Sequence, residues 1–438
     1  MRVAFIQKDP LPDPFVAVVA AQAVYRGHQA RVFLPGAERD LEGSVRRFAP
    51  GALVFHVAGG FEDWADRVGL RLRTALGGPP VCVIGSYGTD HPELALRDGI
   101  DYVLPGDPDE TIPELLWRIS MEKTLEGTMG TVCRGPDGAL LWGPPREQIA
   151  DLDETPAADF EIYQRYGFVA GQRTAPMCVG RGTIENLHAG VRISLAEVGR
   201  RFRPARRMSV GQAISRANML RNRRRYRRFG FRDDSLTLDP DWLALFLDRY
   251  RREVELPFGI MARPDQLAPK IIDGLAAAGC DCVRLGIESG DPQLRRAAMG
   301  TTVSDPEIEA VVERLRSHGI RVHTVGWLGL PGETRETAMR TVELVARLRP
   351  DHAFCFTVAD EPGSASTPEL RRLAWLVPHA GRAPALAGLV ARALDGPGDA
   401  LYQRLFLLQH DLGFIRSGEL PPWDILRIGT RMSRARAG

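Results

Sequence analysis

At 438 residues the chain is long enough for two or three full-sized cores. It is 44% hydrophobic and 26% charged with a formal net charge of +2, an ordinary globular composition that gives no whole-protein case for nucleic acid. No apolar run reaches membrane-spanning length, and the opening MRVAFIQKDP reads as a strand rather than a signal peptide. Six scattered cysteines argue for reduced thiols, so a cytoplasmic location is expected.

Residues 1–123 alternate apolar strands with amphipathic helical patterns. RVAFIQ, ARVFLP, GALVFHVA, PVCVIGS and DYVLPG are separated by helices near Pro14–Arg26, Leu41–Phe48 and Phe61–Leu76, a short one after His91, and one near Thr111–Met121. Five short β-rich runs spaced this way predict a doubly wound, flavodoxin-like parallel sheet, which binds ligands at the carboxyl ends of its strands. The Gly-containing or polar turns Gln7–Pro10, Gly59-Gly60, Gly85–Thr89 and Gly106–Asp109 fall there. They suit close ligand approach, and equally they suit tight turns.

Residues 124–170 read as a linker, with GTVCRGPDGALLW as a hairpin turning at PDG and IADLDETPAADFEIYQRY after it. Over residues 171–363 the strand candidates APMCVG, RFGFRD, LPFGIMA, DCVRLGIES, RVHTVGWLG and HAFCFTV recur with helices between, which predicts a partial TIM-type (βα)6 barrel. At its strand ends Glu288 and Ser289 offer acceptors for a ribose or amino group, and Gly329–Gly332, with Pro331 inside it, is a turn allowing close approach. Asp233 and Asp234 are substrate candidates, with a turn or helix cap as the alternative for Asp234.

Arginine is dense from Arg200 to Arg232, in RRFRPARR and RNRRRYRRF. One reading is an anion, RNA or protein-partner surface spanning Arg200–Arg228, with Tyr226 and Phe229 interleaved; the other is a solvated helix capped by Ser209. Nucleic acid is the weaker partner expectation, and no membrane partner is expected. Residues 364–438 read as a C-terminal helical region, with LAGLVARAL and DALYQRLFLLQHDLGF amphipathic and RMSRARAG frayed.

Several motifs then fall in a recognisable order: DLDETP, VGRGTIENLHAG, FRDDSLTLD, VRLGIESGDPQLRRAAMGTT and VGWLGLPGET. The chain resembles the radical S-adenosylmethionine (SAM) enzymes that carry an N-terminal cobalamin-binding domain. The family's C-x-x-x-C-x-x-C follows an R-G dipeptide; here Arg181-Gly182 is followed by Thr183, Leu187 and Gly190 at those three positions. None offers the thiolate that an iron–sulfur cluster requires, and Cys178, Cys280 and Cys282 share no loop to replace them. The resemblance therefore implies a degenerate member without the cluster. It also implies a cobalamin site formed by Gln7, Gly85, Ser86, Tyr87, Gly88, Thr89 and Gly106. Gln7-Lys8-Asp9-Pro10 stands where histidine-ligating relatives carry D-x-H-x-x-G, so no protein histidine is expected on cobalt. SAM is a further candidate ligand, at Glu288, Ser289, Gly329, Pro331 and Gly332.

The functional expectation is a cobalamin-dependent, methyltransferase-like enzyme acting on a small molecule, with natural-product biosynthesis as a candidate setting. The alternative is a catalytically silent cobalamin binder that partners or regulates an intact homologue. RNA modification rests only on the arginines and on analogy.

Overall fold

The computed structural model describes residues 1–9, 11–57, 62–170, 172–182, 206–223, 226–233, 236–300 and 302–357, together with 370, 373, 374 and 377. Thr183, Leu187, Gly190, Gly59-Gly60, Asp234, the stretch from Arg200 to 205 and almost all of the C-terminal region lie outside the described residues. The chain divides into two compact units, one holding residues 1–171 and the other beginning at Gln172.

The first unit is built on strands β1 (Arg2–Gln7), β2 (Gln29–Phe33), β3 (Ala52–His56), β4 (Val81–Ile84), β5 (Tyr102–Val103), β6 (Val132–Arg134) and β7 (Leu140–Trp142). They form one sheet in the order β2-β1-β3-β4-β5-β6-β7. The first five are parallel, in the 2-1-3-4-5 order of flavodoxin-like sheets, whose crevice opens between β1 and β3. Their apolar runs are continuous because both faces are covered: Val3 to Ile6, Leu53 to Phe55 and Val81 to Ile84 are all buried. Asp13 starts the helix Pro14–Tyr25 by accepting the N–H groups of Phe15 and Val16, with Pro14 at the first position where its missing donor costs nothing.

The stretch 124–170, expected as a linker, is part of this unit. The PDG turn closes the β6–β7 hairpin, which pairs antiparallel with β5 and so extends the sheet. Tyr163 and Tyr166 then reach back to the strand exits. Tyr166 Oη accepts the Leu34 N–H at 2.9 Å and donates to Glu38. Sequence patterning misses this because no period marks a single returning hydroxyl.

The second unit holds β8 (Thr174–Met177), the short pair β9 (Gly180–Arg181) and β10 (Arg206–Arg207), then β11 (Arg228–Phe231), β12 (Phe258–Ala262), β13 (Cys280–Glu288), β14 (Arg321–Leu328) and β15 (His352–Thr357). Six of these make an all-parallel sheet in chain order, β8-β11-β12-β13-β14-β15, the half-barrel that the strand spacing predicts. Its outer face packs on helices. Phe229 meets Tyr250, and Phe231 meets Phe246 and Tyr250, of the helix Pro240–Glu253 at ring separations of 5.6–6.3 Å. Residues of the inner face are spaced two apart. In β13 Val283, Leu285 and Ile287 are fully buried, whereas Arg284 and Gly286 between them are part-exposed.

Candidate functional site

At the mouth of the first sheet the exits of β4 and β5 are tied together by one side chain. Thr89 Oγ1 donates to the Gly85 carbonyl at 2.8 Å and accepts the Gly106 N–H at 3.1 Å. Gly85 has φ +107, and a Cβ there would lie 2.7 Å from the Val57 carbonyl oxygen, so no other residue makes this corner. The segment after it, read from sequence as a turn, is a short helix, Ser86–Asp90. Gly88 is on the inward side of that helix, where a Cβ would press on Val83 and Val103. Of the expected cobalamin residues, then, Ser86 is exposed and Tyr87 half-buried, while Gly88 and Thr89 are buried in the scaffold beneath them.

Gln7 is likewise turned inward. Its Nε2 donates to the carbonyls of Asp9 and Leu11, and its Oε1 accepts from Tyr163 Oη at 2.6 Å. Burial pushes the Tyr163 phenol well above its ordinary pKa, so it stays protonated and remains a donor. Gln7 thus shapes the β1 exit rather than facing a ligand. One residue of this crevice went unread in the sequence: His56, the last residue of β3 and the register partner of Gln7. Its Nδ1 is 3.7 Å from Asp13, and its ring edge lies against Gly85. Beside the crevice a shallow cleft runs between Thr89, Gly106, Asp107, Trp142 of the hairpin and Arg146.

At the half-barrel mouth, Asp233 does not await a substrate. Its carboxylate accepts the backbone N–H groups of Val179 (2.9 and 3.1 Å) and Gly180 (2.6 Å), pinning the β8 exit that leads to Arg181-Gly182. The sequence expectation is corrected by the shortness of this side chain, which leaves it within reach of backbone donors on the neighbouring strand.

The β13 exit is locked from below. Glu288 adopts φ +54 at a bulge in the β13–β14 pairing, and its Oε1 lies over Gly286 on the inner face, 2.9 Å from where a Cβ would stand. Ser289 faces inward: it is fully buried and accepts the Asp291 N–H. Gly290 passes so close to the helix Arg335–Leu348 that a Cβ would meet the Arg340 carbonyl oxygen at 2.2 Å. The buried Arg295 gathers the loop, donating to the carbonyls of Ser289 (2.9 Å) and Val303 (2.7 Å) and to Asp305 (2.6 Å). At the next exit, Gly329 and Gly332 have φ +87 and +80. Glu333 Oε2 accepts the N–H groups of Gly329 and Leu330, while Oε1 is buried without a hydrogen-bond partner. Burial raises the Glu333 carboxyl to a pKa of about 7.

Several side chains of the arginine-rich stretch make internal contacts where it is described. Ser209 caps the helix Val210–Arg223. Arg207 lies over the Trp242 ring, Arg216 is buried, Arg221 donates to the carbonyls of Glu253 and Val254, and Arg228 forms a fork on Asp281. These contacts account for four of the described arginines, whereas Arg223 and Arg227 are exposed.

Among the described residues no three His, Cys, Asp or Glu side chains stand close enough to hold a metal ion, and no helix is long and apolar enough to cross a membrane. Cys178 is half-buried at the β8 exit; Cys280, Cys282 and Cys355 are buried thiols whose pKa values burial pushes up.

Residues 178–345 match the model of the Radical SAM superfamily. The matched stretch runs from the end of β8 to the helix Arg335–Leu348, and so covers most of the half-barrel. Among solved structures the chain is similar to the radical SAM methyltransferase TsrM from Kitasatospora setae, solved with tryptophan substrate and a SAM analogue. The two share 17% identity over 81% of this chain and 72% of that one, with a TM-score of 0.63. It is also similar to the cobalamin-dependent SAM radical enzyme OxsB with aqua-cobalamin bound, at 14% identity over 82% of this chain and 54% of that one, TM-score 0.63. At these identities the likeness is one of fold. A probable threonylcarbamoyladenosine tRNA methylthiotransferase of Pyrococcus horikoshii is 30% identical over 102 residues, 23% of this chain. The match spans about a quarter of that relative's length.

Proposed function

We propose that this protein is a cobalamin-dependent enzyme that works on a small molecule, most directly by methyl transfer, without an iron–sulfur cluster. The observation that carries the reading is a conjunction in one chain. A 2-1-3-4-5 sheet precedes a radical SAM half-barrel whose cluster positions hold Thr183, Leu187 and Gly190.

The residues present fit cobalamin at the first sheet. The crevice between the β1 and β3 exits is edged by Lys8, Asp9, His56, Ser86 and Tyr87, and the Gly85 corner leaves no Cβ over it. Cobalamin, when bound, supplies a cobalt that can receive and hand on a methyl group. Ser86 and Tyr87 are the residues that would meet the ligand; Thr89 holds the Gly85 corner before them, and Gln7 and Tyr163 hold the β1 exit. His56 is turned against Gly85 and oriented toward Asp13, which supports a lower face without imidazole. The residues do not fit a cluster: a three-thiolate site has Thr, Leu and Gly for donors, and Cys178 stands alone nearby. In the half-barrel, SAM is the methyl source for polar transfer in this reading, with Glu288 as the acceptor for its ribose or ammonium.

The partner or regulator reading draws on the arginines, of which Arg207, Arg216, Arg221 and Arg228 make internal contacts while Arg223 and Arg227 are exposed. Adding hydroxocobalamin to the purified full chain, removing the excess and recording the visible spectrum tests the proposal. One retained corrinoid per chain is expected; none retained would overturn it.

A further inference from the structure

Across the half-barrel one row of inner-face residues runs level through four strands. Met261 of β12 pairs with Arg284 of β13, Arg284 with His323 of β14, and His323 with His352 of β15. Arg232 joins the row at the other end: its N–H bonds the Met177 carbonyl at 2.9 Å, and it lies two residues past the Gly230–Gly259 pair, level with Met261. Neighbours in the row are 23 to 39 residues apart in sequence and meet only through register.

The row has two sides of different chemistry. One is cationic. Burial, then the charge of Arg232, lowers the Arg284 pKa to about 10, so the two guanidiniums act on each other across the sheet. The other side is aromatic. Phe354 lies 5.7 Å from the Arg284 guanidinium, 4.4 Å from the His352 ring and 6.1 Å from that of His323, and Phe356 stands 5.2 Å from Trp327 just above. Arg232, Met261, Arg284, Trp327 and Phe356 are all part-exposed, so solvent reaches this face. At its centre His323 is 1% exposed, and its Nδ1 has no hydrogen-bond partner. A buried polar atom left so costs stability unless something else satisfies it.

We propose that this row is a ligand site, in which Arg284 and His323 hold the carboxylate or phosphate of a small aromatic substrate whose ring rests on Phe354 and Phe356. Arg284 supplies a forked, charge-assisted donor, and His323 as the Nδ1–H tautomer donates to the same anion. Phe354 and Phe356 lie one and two side-chain steps above His352, about 7 and 13 Å at 3.3 Å per residue, so a ring attached to the anion reaches them. The Glu288 carboxylate, folded back over Gly286, lies one side-chain step, roughly 7 Å, from Arg284 on the same face, so a ligand at the strand exits is told apart by titrating S-adenosylhomocysteine separately. The inference deepens the reading of the half-barrel as the seat of a small-molecule substrate and rests on it.

Calorimetric titration of the full chain tests this with indole-3-acetate, benzoate and phenyl phosphate, against indole-3-acetamide, benzamide and benzyl alcohol. At least one acid is expected to bind about ten-fold or more tightly than its uncharged counterpart, a preference that Arg284→Met abolishes and Arg284→Lys partly keeps. Phe356→Ala, which leaves the charges in place, should weaken phenyl phosphate more than inorganic phosphate. Failure of every acid to bind at millimolar concentration, equal binding of acids and neutral analogues, or indifference to Arg284→Met would overturn the proposal. So would a parallel loss of S-adenosylhomocysteine binding in Arg284→Met, because the anion would then be that ligand's carboxylate. Cobalamin retention is read separately from the visible spectrum. Acid binding without retained corrinoid leaves this site standing and removes the proposed reaction, and retained corrinoid without acid binding does the reverse.

Discussion

Arg284 on β13 is the register partner of His323 on β14, and burial, followed by the charge of Arg284, holds the imidazole neutral with a pKa of about 3. The pairing is unfavourable for folding in two ways. His323 Nδ1 is buried without a partner, and the ring resists the proton it would accept in the unfolded chain.

His323→Leu is therefore expected to stabilise the fold by about 1 kcal/mol at neutral pH, by removing an unsatisfied buried polar atom. The gain should grow as pH falls from the ordinary histidine value of 6.5 toward 3. Over that window the unfolded wild type binds a proton that the folded state refuses, so wild-type stability drops with acidification and the variant's does not. Urea unfolding at several pH values measures it. The same variant should bind aromatic acids less well, a loss of function accompanying a gain in stability.

Glu333 has the opposite sign. Its carboxyl is raised from 4.5 to about 7, so between those values the folded state keeps a proton that the unfolded chain has released, and stability falls as pH rises through the window. Glu333→Gln should flatten that slope, with its largest relative benefit above pH 7. An unchanged pH profile of the unfolding midpoint would contradict the assignment.

Much of the architecture was legible in the residues. All six strands of the half-barrel and the first five of the other sheet stand out as apolar runs, and Ser209 announces its helix by its position. The sites were less legible. Thr89, Ser289 and Asp233 are small polar residues at strand exits, and sequence alone does not say whether such a side chain turns outward to a ligand or inward to backbone donors; all three turn inward. The helix Ser86–Asp90 was hidden because Ser, Gly, Thr and Asp are poor helix formers. The row through Arg284 and His323 was invisible because it exists only once parallel strands are aligned, and a shift of one residue would have turned each side chain to the other face.

Asp233→Asn weakens three charge-assisted contacts to Val179 and Gly180 at a buried position. A loss of about 1.5–3 kcal/mol is expected, measured by chemical denaturation. Were Asp233 a substrate ligand instead, stability would hold or rise.

Thr89→Val keeps the shape and removes the hydroxyl that joins Gly85 to Gly106. It should cost about 1 kcal/mol of stability and weaken corrinoid retention, because the β4 and β5 exits no longer hold one position. Equilibrium dialysis of hydroxocobalamin against wild type and variant gives the ratio.

The proposal of a cobalamin enzyme without a cluster turns on Thr183, Leu187 and Gly190, which stand where the family's cluster cysteines fall. Metal and sulfide analysis after anaerobic reconstitution with iron, sulfide and hydroxocobalamin tests it most directly. The account predicts stoichiometric cobalt with no labile sulfide above background; stoichiometric labile sulfide, or protein free of cobalt, would contradict it.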